Sequence, residues 1–364
     1  MSKNAIVFRE KVPAIETNDT KHLISIGAGK NQLKLIKVAV DLGYHVTAID
    51  QKLNDDISLK NFEYLECSTY NFEKAVTLLK GRYKKKLPEG LLYRTSGPAI
   101  KTAGYVADAL CLSSPSLKST IASFAKSQLF RDCKANNLPT PNTKTFHEFP
   151  NMISNWKSWV IKPDAPIYGK KNVFLPSNHQ EAFFAFQSAV SESANKLVNV
   201  QKYIEGTNVS VMVLCHNYLC KRMIPFDEWV EVDNSKRVSG LGITFPSSNL
   251  SKTCYENIKN VINRLLKFWS VKNGILFFSF RVDKKDIAWL YELNLGLSGD
   301  AIAEELLPSA FGTTLNEICR IDILLNCGIF CDLPTTSTPV GFIKNKKIFG
   351  VDLDSFIKSK LSQR

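Results

Sequence analysis

The chain has 364 residues, enough for two or three domains with cores of their own, and its 44% hydrophobic and 22% charged content is that of an ordinary globular protein. No apolar run is long enough to span a bilayer, and Met1-Ser2-Lys3-Asn4 does not open a signal-peptide core, so the expectation is a cytoplasmic protein without a membrane partner. The formal net charge is +13, with Lys-rich stretches at 82–86 and 344–347. These read as solvated loops. Aromatics are not interleaved with them, so nucleic acid is not an expected partner. The charge does suit a protein that handles anionic ligands.

From residue 20 to about 115, strand and helix signals alternate: 23–26 as a strand, 32–42 as a helix, 45–49 as a strand. This pattern predicts an α/β domain with a mostly parallel sheet. Gly27-Ala28-Gly29 and Asp50 leave a dinucleotide reading open, since an acid about 20 residues on is part of that fingerprint. Gln32 stands where the fingerprint wants its third glycine, which removes support for a close pyrophosphate approach. The nine cysteines include no CxxC pair. Neither Cys215-His216 with Cys220 nor Cys327 with Cys331 has zinc spacing, so reduced thiols are expected.

Further along, Trp159-Val160-Ile161-Lys162-Pro163 is a short apolar run ending on a lysine, followed by a loop carrying Gly169, Lys170 and Lys171. A strand lysine and a basic loop can clamp phosphate. Val200-Gln201-Lys202-Tyr203-Ile204-Glu205-Gly206 is extended and suits a purine, which needs one backbone donor and one acceptor between apolar walls. Residues 274–283 and 289–294 read as a hairpin around the polar turn Lys284-Lys285-Asp286. On its second strand Glu292 and Asn294 point to one face, because strand side chains alternate. A carboxylate and an amide oxygen are hard ligands that suit Mg2+. Residues 314–325 read as a helix.

The order of these pieces resembles the ATP-grasp superfamily, which includes biotin carboxylase, carbamoyl phosphate synthetase and D-alanine–D-alanine ligase. Ala125-Lys126-Ser127 and Asn137-Leu138-Pro139-Thr140-Pro141 resemble the family's helix with a nucleotide-contacting lysine and the link into its lid. The Gly27 region resembles the Rossmann-like domain that precedes the grasp in many members. The resemblance implies an α/β chain with a Rossmann-like domain at 1–115, a linker helix and small α+β lid at 116–206, a larger α+β subdomain at 207–335 and a tail at 336–364. It implies ATP and Mg2+ as cofactors, and a small-molecule carboxylate and an amine as substrates. The carboxylate would be activated as an acyl phosphate. A homodimer is an assembly open to it.

Carried over by residue, Lys126 and Lys162 would hold phosphates, and Gln201 and Lys202 would meet the adenine amino group. Ile204 would offer its N–H to the ring, and Tyr203 and Asn208 would complete the nucleotide site. Glu292 and Asn294 would hold the metal, with Asp283 as a further ligand, and Arg281 is the candidate catalytic residue. Four departures leave a catalytically weakened, ligand-binding relative as an alternative. The loop 164–172 holds one glycine. Asn208 stands nearest the usual ribose-contacting acid. Asn294-Leu295-Gly296 replaces Asn-Pro-Arg. The fourth is the second metal carboxylate. With a turn centred on Lys285 and Asp286, Ser279 faces Glu292 and Asp283 lies four residues along, roughly 13 Å away. Either the hairpin is irregular and Asp283 swings in, or the second acid is missing. Substrate-contacting loops are expected near Arg94-Thr95-Ser96, 237–242 and Ser298-Gly299-Asp300.

Overall fold

The computed structural model describes residues 20–53, 59–167, 172–297, 302–344 and 346–361. The basic loop residues Gly169, Lys170 and Lys171 and the expected substrate loop 298–300 lie outside them.

The N-terminal strands His22–Ile26, His45–Asp50, Phe62–Glu66 and Gly90–Leu92 pair in parallel, in spatial order third, second, first, fourth. The centres of His22–Ile26, His45–Asp50 and Gly90–Leu92 are buried on both faces, as near-continuous apolar runs in a parallel sheet should be, while the edge strand Phe62–Glu66 is only partly buried. Helices Lys30–Asp41, Phe72–Arg82 and Pro98–Ala109 cover the sheet. The expected α/β alternation is therefore present.

Two short helices, Leu117–Phe124 and Lys126–Ala135, lead into the lid. The lid is a three-stranded antiparallel sheet, in order Thr143–Phe146, Val198–Lys202, Trp159–Pro163, with helix His179–Ser191 against it. Trp156, Ile161, Phe174, Phe186, Val198 and Val200 form a core separate from the rest of the molecule.

The C-terminal part is built on a seven-stranded antiparallel sheet. From one edge its strands are Ala288–Leu295, Asn273–Val282, Thr207–His216, Leu219–Val232, Val238–Phe245, Val340–Ile343 and Lys346–Ile348. The stretch after 335, read from sequence as a tail, thus supplies two strands of this sheet. Helix Lys252–Phe268 buries Cys254, Ile258, Val261, Ile262 and Leu265, a stripe at helical spacing. Helix Leu315–Asn326 shares a core with both the N-terminal sheet and this one: Leu23, Ala39, Leu214, Phe277 and Ile323 lie in a single cluster. That shared core fixes the N-terminal domain against the seven-stranded sheet. Among the described residues no helix is long and apolar enough to cross a membrane.

Gly206 joins the lid to strand Thr207–His216 at φ +153°. A Cβ there would lie 2.0 Å from the Val282 carbonyl oxygen. Gly206→Ala is therefore expected to cost about 2 kcal/mol or more, from backbone strain and overlap with a fixed carbonyl. Gly81→Ala, on a helix and with open space around its Cβ, is the control and should be neutral or stabilising. Urea unfolding of the two variants checks this; equal midpoints would contradict it.

Candidate active site

Two cavities meet beside strand Ala288–Leu295. The first, about 620 Å³, lies between lid and seven-stranded sheet. Its apolar walls include Val160, Leu175, Val238, Ile243 and Phe342, and the segment Gln201-Lys202-Tyr203-Ile204 runs along it. The second, about 510 Å³, opens between the N-terminal domain and the same sheet, lined by Asn31, Gln32, Arg94, Thr95, Ser96 and Asn294 among others. Lys126, Glu228 and Glu292 line both.

Lys126 is set by its helix start. The Asp164 carbonyl accepts the Lys126 N–H at 3.0 Å. The Asp164 carboxylate accepts from the Ser127 N–H (2.6 Å), the Ser127 hydroxyl (3.0 Å), and the amides of Asn195 (2.7 Å) and Asn199 (2.8 Å). A fully buried carboxylate is tolerated because each lone-pair direction is met and a helix N-terminus faces it. Sequence reasoning passed over Asp164, although it directly follows Lys162-Pro163. From this anchor Lys126 Nζ reaches Glu292 Oε1 at 2.9 Å.

Lys162 is buried under the lid, between the rings of Phe130 and Tyr291. It donates to Gln201 Oε1 at 2.9 Å, and Gln201 in turn donates to the Thr143 hydroxyl at 2.8 Å. The Gln201 amide, expected at the adenine amino group, is thus turned to Lys162 and Thr143. Burial, with Lys126 as a neighbouring positive charge, brings the Lys162 pKa down to about 7. Lys202 is exposed, its ammonium over the Trp159 ring.

Arg281 lines the first cavity, and its guanidinium is taken up by the segment 203–208. It donates to the Ile204 carbonyl (2.9 Å), to Asn208 Oδ1 (2.8 Å) and to the Tyr203 hydroxyl (2.8 Å). Its guanidinium staples the extended hinge to the sheet and occupies Asn208 as well. Arg281, expected as the catalytic residue, thus has its guanidinium engaged with three acceptors of the 203–208 segment.

The hairpin register sets Ser279 opposite Glu292. The ladder is irregular, because Phe280 pairs with Leu290 and Tyr291 is the extra residue of a bulge. Yet the irregularity does not carry Asp283 inward. Asp283 Oδ1 accepts the N–H groups of Lys285 (2.8 Å) and Ile287 (3.0 Å), and Oδ2 accepts the Trp289 indole (2.9 Å). Asp283, expected as a further metal ligand, thus has its carboxylate engaged by the turn and by Trp289. The bulge instead puts Tyr291 beside Glu292. Burial, then the charges of Glu228 and Glu292, hold the Tyr291 hydroxyl well above its ordinary pKa, and it is hydrogen-bonded to Ser279. Glu292 and Asn294 both line the second cavity, as their alternation requires.

The hard oxygens of Glu292 and Asn294 fit Mg2+, and the cation already bonded to Glu292 is Lys126. Among the described residues no three His, Cys, Asp or Glu side chains cluster for a metal, so water and phosphate would have to complete the coordination. The Gly27 loop suits a dinucleotide poorly. Asp50 accepts the Ala28 N–H at 2.8 Å, and the Gln32 side chain packs over Gly27 and donates to the Arg94 carbonyl.

Residues 122–297 match the model of the phosphoribosylglycinamide synthetase ATP-grasp (A) domain. This segment is therefore similar to the ATP-grasp domain of that family. A bifunctional purine biosynthetic protein of Schizosaccharomyces pombe is 27% identical over 138 residues, covering 35% of this chain and 17% of that protein. The chain thus spans about a sixth of that relative. Among solved structures, the L-amino acid ligase of Bacillus licheniformis superposes with a TM-score of 0.67 at 14% identity, covering 85% of this chain and 75% of that one. The phosphoribosylglycinamide synthetase of Anaerococcus prevotii gives 0.61 at 16% identity, covering 89% and 80%. The N5-carboxyaminoimidazole ribonucleotide synthetase of Thermotoga maritima gives 0.63 at 14%, covering 88% and 80%. The ATP-grasp fold thus covers most of the chain.

The Lys162 environment predicts a pH dependence. Phosphate beside Lys162 raises its pKa, so nucleotide binding takes up a proton once the free site has lost it. ATP affinity should therefore fall as pH rises above about 7, by up to about tenfold per pH unit until the pKa of the complex is reached. Lys162→Met should bind more weakly with a flat profile between pH 7 and 9. Calorimetric titration with Mg2+ in excess decides it, and a flat parental profile would refute the assignment.

Proposed function

We propose that the chain is an ADP-forming ligase that activates a small-molecule carboxylate with ATP and passes the acyl group to an amine. The observation that supports it most is the meeting of two cavities at Lys126, Glu228 and Glu292. One is of a size for a nucleotide, and the other is polar and open to a second ligand.

In this reading the adenine lies along Tyr203-Ile204, whose position Arg281 holds through three hydrogen bonds. Lys162 and Lys126 draw the phosphates to the junction. Glu292 and Asn294 would hold Mg2+, which when bound neutralises charge on the phosphates. The acceptor carboxylate attacks the γ-phosphorus from the second cavity. An oxygen–phosphorus bond forms, the bond to the β-phosphate oxygen breaks and ADP leaves. The amine nitrogen then attacks the acyl carbon, phosphate departs with the carboxylate oxygen it captured, and the amine loses a proton. The protein's work is positioning and charge neutralisation. Arg94, buried on the wall of the second cavity and paired to Glu304 at 3.2 Å, would be a cation for an acceptor carboxylate on that side.

A weakened relative that binds nucleotide without efficient turnover is the second reading. Ser279 opposite Glu292 favours it, because a hydroxyl stands where the family's second acid belongs.

ATP with Mg2+ should raise the melting temperature, by mass action on the native state, while NAD should not. Lys126→Met should lose most of that shift and remain folded. ADP release in a pool of carboxylates and amines should exceed release with either alone. A shift with NAD and none with ATP would defeat both the ligase and the weakened-relative readings.

A further inference from the structure

We propose that Glu228 supplies the second carboxylate of the divalent-cation site, relocated from strand Asn273–Val282 to strand Leu219–Val232. The inference rests on the ATP-grasp reading of the junction and concerns a residue that the sequence comparison of motifs does not reach.

Across one level of the sheet, Glu292 pairs with Ser279, and Ser279 pairs with Ser210. The two serine hydroxyls are hydrogen-bonded at 2.8 Å. Glu228 lies diagonally beyond, opposite Asn208, and its Oε1 accepts the Ser210 hydroxyl at 2.9 Å. Two carboxylates therefore bracket a floor of two hydroxyls in the cavity wall. Their strand neighbours Val209, Val211, Phe278 and Phe280 are buried apolar side chains of the opposite face. A floor of serines leaves volume and hydrogen bonds where a bulky residue would close the gap.

The next residue provides a contrast. Asp227 points to the other face and accepts from the Ser247 hydroxyl (2.6 Å), the Ser248 N–H (2.9 Å) and the Ser248 hydroxyl (2.9 Å). It is buried and serves the loop there. Glu228 instead lines both cavities, as Glu292 does, and is only partly buried. At the junction Lys126 is bonded to Glu292, with Lys162 close to both. Bringing phosphates there adds negative charge that Lys126 and Lys162 cannot balance, and a divalent cation restores neutrality. Ser279 cannot take this part, since it carries no charge.

The test is Mn2+ binding in the presence of a non-hydrolysable ATP analogue, followed by electron paramagnetic resonance, with circular dichroism melts as the control for folding. Glu228→Gln keeps an acceptor for Ser210, so the fold should survive. It should weaken Mn2+ binding at least tenfold without weakening metal-free analogue binding, since it removes a negative charge near the phosphates. Adding Ser279→Asp to Glu228→Gln should recover most of the lost affinity, because the acid then faces Glu292 directly. If Glu228→Gln binds Mn2+ like the parent while Glu292→Gln does not, Glu228 is no ligand and the site reading stands. If neither variant changes Mn2+ binding, the proposal and the site reading both fail.

Discussion

The contact on which the rest depends is the ion pair between Lys126 and Glu292, 2.9 Å long and mostly shielded from water. It joins the first residue of a helix to the middle of an edge strand, and these belong to different parts of the chain. Each partner is fixed independently. Asp164 pins the start of the helix to the lid, and the ladder with strand Asn273–Val282 pins Glu292. A pair held this way costs little further entropy, since neither end has to be ordered to form it. It also defines what a ligand must do. A phosphate that takes Lys126 frees Glu292, and a cation at Glu292 takes the place of Lys126 there.

Much of this was legible in the sequence. Alternation in 289–294 set Glu292 and Asn294 on one face, and counting back from Lys285-Asp286 put Ser279 opposite Glu292, which is where the ladder has it. The parallel sheet followed from alternating strand and helix signals. Other features depend on neighbours that the sequence does not place side by side. Asp283 looked like a ligand because of its motif, but the turn's own N–H groups and Trp289 claim it. Arg281 looked catalytic, but three acceptors at the hinge surround it. Gln201 faces Lys162 because strand Val198–Lys202 lies beside Trp159–Pro163. Glu228 reaches the junction only through a strand order that no local pattern encodes. The strands after 335 read as a tail because they are short and carry little apolar periodicity.

The molecule combines a well-furnished nucleotide cavity with an altered metal wall. The two lysines and the Glu292-Asn294 pair sit on strands and a helix start, which hold geometry better than loops do, and the hinge is the short link between strands Val198–Lys202 and Thr207–His216. The departures fall where the C-terminal sheet faces the second cavity: a serine at position 279, and Leu295-Gly296 following Asn294 in place of a proline and an arginine. The carboxylates there are thus Glu292 and Glu228, on non-adjacent strands, with Tyr291 carried toward the same face by the bulge. Such a wall keeps the chemistry of oxygen ligands while the second carboxylate is carried two strands further along the sheet.

The most direct measurement is a crystal structure with Mg2+ and a non-hydrolysable ATP analogue. The account predicts the base along Tyr203-Ile204, the terminal phosphate within hydrogen-bonding distance of Lys126, and the Lys126–Glu292 pair opened, with the cation on Glu292. Nucleotide seated instead on the Gly27 loop, or bound with the ion pair intact and its phosphates away from the junction, would contradict it.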